Sequence, residues 1–130
     1  MTNKITIAID AMGGDNSPKK ILDGIMHHHS KNKDCFYKIF GDKEKINKYL
    51  NSDFNEEFYQ IFHTNEKVEG TDSPLGAAKK GKNTSMWLAV ESVKNNQADI
   101  VISAGNTGAL LVIAKLNLTM IENIDKPALS

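Results

Sequence analysis

A single cysteine, Cys35, is the whole thiol content of this chain. It therefore has no internal disulfide, and a reducing cytoplasm is the expected compartment. Cys35 opens an apolar run, where a buried thiol behaves as a small hydrophobe rather than as a nucleophile. Net charge is also missing. Sixteen basic side chains balance sixteen acidic ones, which removes any global electrostatic drive toward nucleic acid or an anionic membrane. The longest apolar stretch, 108–120, contains Lys115 and Asn117 and falls short of the roughly 20 residues a membrane span needs. The N-terminal apolar run reaches Asp10 almost at once, so no secretory signal is expected. Several sequence patterns are absent too: there is no G-x-G-x-x-G, no G-x-x-x-x-G-K-[ST], no metal-ligand spacing, and no Ser/His/Asp or Cys/His constellation. A dehydrogenase, a nucleotide kinase and a metal centre are thus unsupported by motif. His27-His28-His29 does not restore the metal, because consecutive residues on a helix point about 100° apart. They read as surface histidines.

What remains is an ordinary globular composition, 40% hydrophobic and 25% charged over 130 residues, enough for one domain with a real core. Hydrophobic patterning alternates strand with helix. Lys4 to Ile9 reads as a first strand, and Pro18 to about His29 as a helix burying Ile21, Leu22, Ile25 and Met26. Asp34 to Phe40 is a second strand, followed by a short helix capped by Asp42 and ending at Leu50. Phe58 to Phe62 is a third strand. A long polar connection, 63–83, carries Pro74, three glycines and the cluster Lys79, Lys80 and Lys82; so long a loop is usually functional or mobile. A helix capped by Asn83, Thr84 or Ser85 then precedes a fourth strand, Asp99 to Ser103, and a helix from Asn106 to about Met120. Lys126 to Ser130 resembles the approach to a further strand, so the chain reads as the front part of something longer. Strand and helix in alternation imply an α/β/α architecture with a mostly parallel sheet.

Two stretches interrupt this pattern in the same way. Each runs from a strand into glycines and then into a helix start: Asp10-Ala11-Met12-Gly13-Gly14-Asp15-Asn16-Ser17-Pro18, and Ser103-Ala104-Gly105-Asn106-Thr107-Gly108. Such a turn collects unpaired backbone N–H groups at the positive end of a helix dipole, which suits an anion and most often phosphate. In an open parallel sheet, ligands sit where the strand order reverses. An order of 3-2-1-4 places the first and fourth strands side by side there, so both turns would flank one crevice. Asp10 and Asp15 are either turn formers or carboxylates that orient a substrate or take up a proton. A carboxylate beside phosphate needs a cation between them, a role open to Lys19, Lys80 or Lys82, which otherwise are solvated loop charge.

These residues bring a family into view. The first turn, Ser103-Ala104-Gly105-Asn106-Thr107-Gly108-Ala109-Leu110, Lys80-Gly81-Lys82-Asn83-Thr84-Ser85-Met86 and Ile124-Asp125-Lys126-Pro127-Ala128-Leu129 resemble, in order and spacing, the PlsX-type phosphate acyltransferases of bacterial phospholipid synthesis. The resemblance spans residues 1–130 and implies the N-terminal part of a longer domain with a phosphotransacetylase-like α/β/α fold. It implies transfer of a fatty acyl group from acyl carrier protein to inorganic phosphate, without a cofactor. It further implies a cytoplasmic homodimer, peripheral to the membrane, that serves a downstream membrane acyltransferase. In that reading Gly13, Gly14, Asp15, Asn16, Ser103, Gly105, Asn106, Thr107 and Gly108 hold phosphate, with Lys82 and Ser85 assisting from the facing loop. Asp10, Asn106 and Lys80 are the candidates for a catalytic role. Where the family commonly has arginine, this chain has Lys80 and Lys126, without the bidentate guanidinium fork. Two other readings stay open: a phosphotransacetylase-like enzyme using a coenzyme A thioester, and a non-catalytic phosphate-binding fragment.

Overall fold

A computed structural model describes residues 4–14 and 17–117. Its centre is a four-stranded sheet of β1 (Ile5–Asp10), β2 (Cys35–Gly41), β3 (Tyr59–His63) and β4 (Ile100–Ser103). Every pairing is parallel, and the order is β3-β2-β1-β4. This is the order under which the two glycine-bearing turns flank one crevice. The chain runs leftward through β1, β2 and β3, then crosses back to place β4 against the free side of β1.

The two faces of the sheet are covered differently. Alternate residues of a strand point to opposite faces, so Ile7, Ile9, Tyr37 and Ile39 lie on one side. There they pack with Leu22 and Ile25 of α1 (Lys19–Lys31) and Ile46 of α2 (Lys43–Tyr49). On the other side Ala8 and Phe40 meet Ala89 of α4 (Ser85–Lys94). Between α3 (Pro74–Lys79), α4 and α5 (Thr107–Asn117) lies a third cluster built on Ala77, Met86, Val90 and Ile113. Helices on both faces make the three-layer α/β/α arrangement. Burying a side chain such as Ile39, which is fully enclosed, contributes about 1.5–3 kcal/mol.

Capping residues set the helix starts. Asp42 Oδ1 accepts from the N–H groups of Glu44 and Lys45. Thr84 Oγ1 accepts from Trp87 N–H at 3.2 Å, which selects Thr84 among the three candidates. Asn106 Oδ1 accepts from Ala109 N–H at 3.0 Å. Helix α1 differs: Pro18 occupies the cap position, and no side chain caps the helix. The Ser17 hydroxyl donates instead to the Gly13 carbonyl.

Three expectations need correction. The 63–83 connection is not all loop: Ser73 Oγ accepts from Gly76 N–H at 3.0 Å and starts α3, with Pro74 in its first turn. A single 3-10 turn, Glu56–Phe58, precedes β3. His29 is not a surface residue. It is buried, with its ring 4.9 Å from that of Phe54 and 4.5 Å from that of Phe58, because α1 continues to Lys31 and its apolar face extends one position further. His28 donates to or accepts from Tyr37 Oη at 2.7 Å through Nδ1. Cys35 is buried as expected, and desolvation raises its thiol pKa. The tail of the last helix beyond Asn117 and the motif at 124–129 lie outside the described residues.

Candidate functional site

The two glycine-bearing turns touch. Register pairs Asp10 with Ser103 at the carboxyl ends of β1 and β4, so the segments that follow leave the sheet side by side. A Cβ on Gly13 would sit 2.7 Å from Asp10 Oδ2, 2.9 Å from Ser103 Oγ and 3.0 Å from Gly105 N. Gly14 has a φ of 87°, and a Cβ there would lie 2.6 Å from the Ala104 carbonyl oxygen. Both positions need the backbone to pass where a side chain would collide. Glycine is required at this junction for space as well as for conformation.

Asp10 ties the junction together from below. Its side chain is 1% exposed. Oδ1 accepts from Ser85 Oγ at 2.6 Å and from Met12 N–H at 3.1 Å; Oδ2 accepts from Ser103 Oγ at 2.8 Å. Ser103 Oγ in turn accepts from Gly105 N–H at 3.2 Å. One carboxylate thus joins the first turn, the fourth-strand turn and the start of α4. Burial raises the Asp10 pKa, against the hydrogen bonds from Ser85, Ser103, Met12 and Gly13, which favour the charged form.

Above this junction lies a polar crevice of about 540 Å³, walled by Met12, Gly14 and Ser17 on one side and by Gly105 and Asn106 on the other. A third wall was not foreseen. The segment Lys67 to Gly70 folds over from the long connection and contributes to the wall, with Lys67 half-buried. Asn106 fastens that segment: its Nδ2 donates to the Asp72 carbonyl at 2.7 Å and to the Glu69 carbonyl at 3.3 Å. Lys80 supports the same strap. Its ammonium donates to the Lys67 carbonyl at 3.4 Å and lies 2.6 Å from Asp72 Oδ2, and the contact with Asp72 holds that carboxyl below its ordinary pKa.

The candidate residues therefore divide. Gly13, Gly14, Ser103, Gly105 and Asn106 come together at the crevice or beneath it. Thr107 and Gly108 form the first turn of α5, where the helix itself provides no acceptor for the N–H groups; they follow Asn106 directly but are not among the residues that wall the crevice. The Cα of Gly108 faces Pro74, since a Cβ would stand 2.9 Å from that ring. Ser85 is fully buried and donates to Asp10, so it supports the turn from beneath rather than lining the crevice. Lys82 is exposed and lies apart from the crevice walls. Asp15 and Asn16 fall outside the described residues. All three catalytic candidates have internal partners: Asp10 at both oxygens, Asn106 at both ends of its amide, and Lys80 at Asp72. Among the described residues no group of three His, Cys, Asp or Glu side chains forms a metal-binding set.

An open parallel sheet with a crevice at the reversal of strand order defines an α/β protein of the kind that holds its ligand at the carboxyl ends of its strands. Residues 5–130 match the family described as fatty acid synthesis protein, and the chain belongs to that family. It is 68% identical over its whole length to a phosphate acyltransferase of Pelagibacter ubique, of which it covers 39%. It is 47% identical over 123 residues, 95% of the chain, to a phosphate acyltransferase of Streptococcus uberis, covering 36% of that protein. Identity to the phosphate acyltransferase of a Geobacillus strain is 47% over 124 residues, again 95% of this chain and 37% of the relative. The chain thus spans less than two fifths of the length of these relatives. No helix among the described residues is long and apolar enough to cross a membrane.

Proposed function

We propose that this chain is the N-terminal part of a phosphate acyltransferase that moves a fatty acyl group from acyl carrier protein to inorganic phosphate. The observation that carries the reading is the crevice formed where the Gly13-Gly14 turn and the Ala104–Asn106 turn meet; family membership supports it. In the reaction a phosphate oxygen attacks the thioester carbonyl. The C–O bond forms, the C–S bond breaks, and the carrier thiolate leaves and takes up a proton. Phosphate needs only to be held with one oxygen free. The N–H groups of Thr107 and Gly108, at the positive end of α5 and next in the chain to the Asn106 wall, would supply donors that leave such a face open. Lys67, in the wall of the crevice, would add a positive charge for the anion. The amide of Gly105 donates to Ser103, so it fixes the turn rather than serving the anion.

Asp10 acts as an organiser in this scheme. Its lone pairs accept from Ser85, Ser103 and Met12, so it is poorly placed to take a substrate proton. Asn106 holds the strap that walls the crevice, and Lys80 braces that strap. The reading extends to a homodimer, peripheral to the membrane, that works in phospholipid synthesis and passes acyl phosphate to a membrane acyltransferase.

The test uses the polypeptide at the full length of its relatives, supplied with acyl-carrier-protein thioester and inorganic phosphate, with acyl phosphate trapped by hydroxylamine. Acyl phosphate formation that falls at least about tenfold in Asn106→Ala is expected. No turnover with the carrier-protein thioester, alongside brisk turnover with a coenzyme A thioester, would replace the reading by a phosphotransacetylase-like one.

A further inference from the structure

A row of isoleucines on the β4 side of the sheet lacks a cover. Ile5 is 48% exposed, Ile100 47% and Ile102 43%. Register places Ile100 beside Ile7 and Ile102 beside Ile9, so all of them face the layer that holds α1 and α2. Helix α1 reaches only part of this face. Between it and β4 runs an apolar groove of about 290 Å³, walled by Ile7, Ile9, Ile102, Ile21 and Gly24. Gly24 sits inside a 13-residue helix, where glycine costs about 0.5–1 kcal/mol relative to alanine. Nothing lies within 4 Å of the position its Cβ would take, so none of the described packing accounts for it.

Topology says which elements are unable to fill the groove. Crossovers between parallel strands are right-handed, and α5, which follows β4, already packs with α3 and α4 on the opposite face. A strand joined to β4 through α5 lengthens the sheet and leaves its isoleucine side bare. α1 and α2 are held over β1, β2 and β3 by their own connections. The cover must then come from polypeptide that follows the next strand or from another molecule. The relatives are more than twice as long as this chain, which leaves ample length for one further helix.

We infer that the Ile5, Ile100 and Ile102 face is the seat of a later segment of the same polypeptide, an amphipathic element laid beside α1 with its backbone closest at Gly24. The inference rests on the chain being an N-terminal portion, and it does not depend on the acyl-transfer chemistry. It identifies the groove as an intramolecular joint rather than a ligand site.

The test is thiol labelling of the full-length polypeptide carrying Ile102→Cys, with Lys48→Cys as an exposed control; Lys48 is a charged, exposed residue of α2, and native Cys35 is 5% exposed and slow to react. The expected result is labelling of position 102 at least about a hundredfold slower than position 48, independent of protein concentration and of added acyl thioester. Gly24→Leu should lower the thermal midpoint of the full-length polypeptide, since the new side chain occupies the cover's place. Fast labelling at 102 overturns the inference. Protection that grows with protein concentration overturns it in favour of a second copy, and protection that appears only with acyl thioester overturns it in favour of an acyl chain. Each outcome can be read whether or not the protein turns over phosphate.

Discussion

Replacing Gly13 by alanine tests the contact on which the crevice is built. The added methyl meets Asp10 Oδ2 at 2.7 Å, Ser103 Oγ at 2.9 Å and Gly105 N at 3.0 Å, against about 3.5–4.0 Å for comfortable non-bonded contact. None of the three neighbours is the loose end of a long side chain. Asp10 is fixed by Ser85 and Met12, Ser103 sits at the end of a paired strand, and the third is backbone. Overpacking of this kind costs about 1–3 kcal/mol, and losing the Ser103–Asp10 hydrogen bond adds about 1. We expect urea denaturation of the full-length Gly13→Ala polypeptide to report a loss of about 2–4 kcal/mol, a large share of a typical stability of 5–15 kcal/mol. Turnover should fall further than stability explains, because moving either turn by about 1 Å displaces the proposed phosphate donors. Gly70→Ala is the control: a Cβ there meets nothing within 4 Å, and stability should change by less than about 1 kcal/mol. A Gly13→Ala protein as stable and as active as its parent would refute the touching-turn geometry.

Asn106→Ala removes a helix cap and both donors that hold the strap; it should cost about 1–2 kcal/mol and speed hydrogen exchange across residues 67–72. Thr84→Ala deletes the cap of α4 inside the core and should cost about 1–2 kcal/mol in the same denaturation assay. Burial, with Lys33 and His28 nearby, lowers the His29 pKa below its ordinary 6.5. The unfolded chain then binds the proton more readily, so the His29 contribution is complete above about pH 6.5 and is lost as pH falls through the folded value. His29→Phe should flatten that acid limb of the stability profile, and an unchanged limb would exclude His29 as its source.

The sheet was legible because its signals are local and repeated. β-branched runs such as Ile100-Val101-Ile102, cut by glycine turns, fix the strands, and a single crossover rule then orders them. Placing the first and fourth strands together identified the crevice as well. The strap was missed for a physical reason. Six residues of α3, with Gly76 among them, carry too few apolar positions to show a helical period, and nothing near Lys67 in the sequence announces that it walls the same crevice as Gly105. The basic cluster misled in a related way: charge density marks a region, but the pairing of Lys80 with Asp72 depends on a turn that composition does not encode. His29 was misjudged because the aromatic rings that bury it, Phe54 and Phe58, arrive from a loop about 25 residues later.

The bonds that Asp10 makes to Ser85 and Ser103 span 75 and 93 positions of chain. At a synthesis rate of about 5–20 residues per second, the carboxylate waits some seconds for its partners to leave the ribosome. Until then it is a solvated charge on a strand with one vacant flank, and loop closure over such a distance is slow. The hollow at the strand ends is accordingly among the last parts of this region to take shape, and a nascent chain can collapse around β1, β2 and β3 well before the proposed anion site exists.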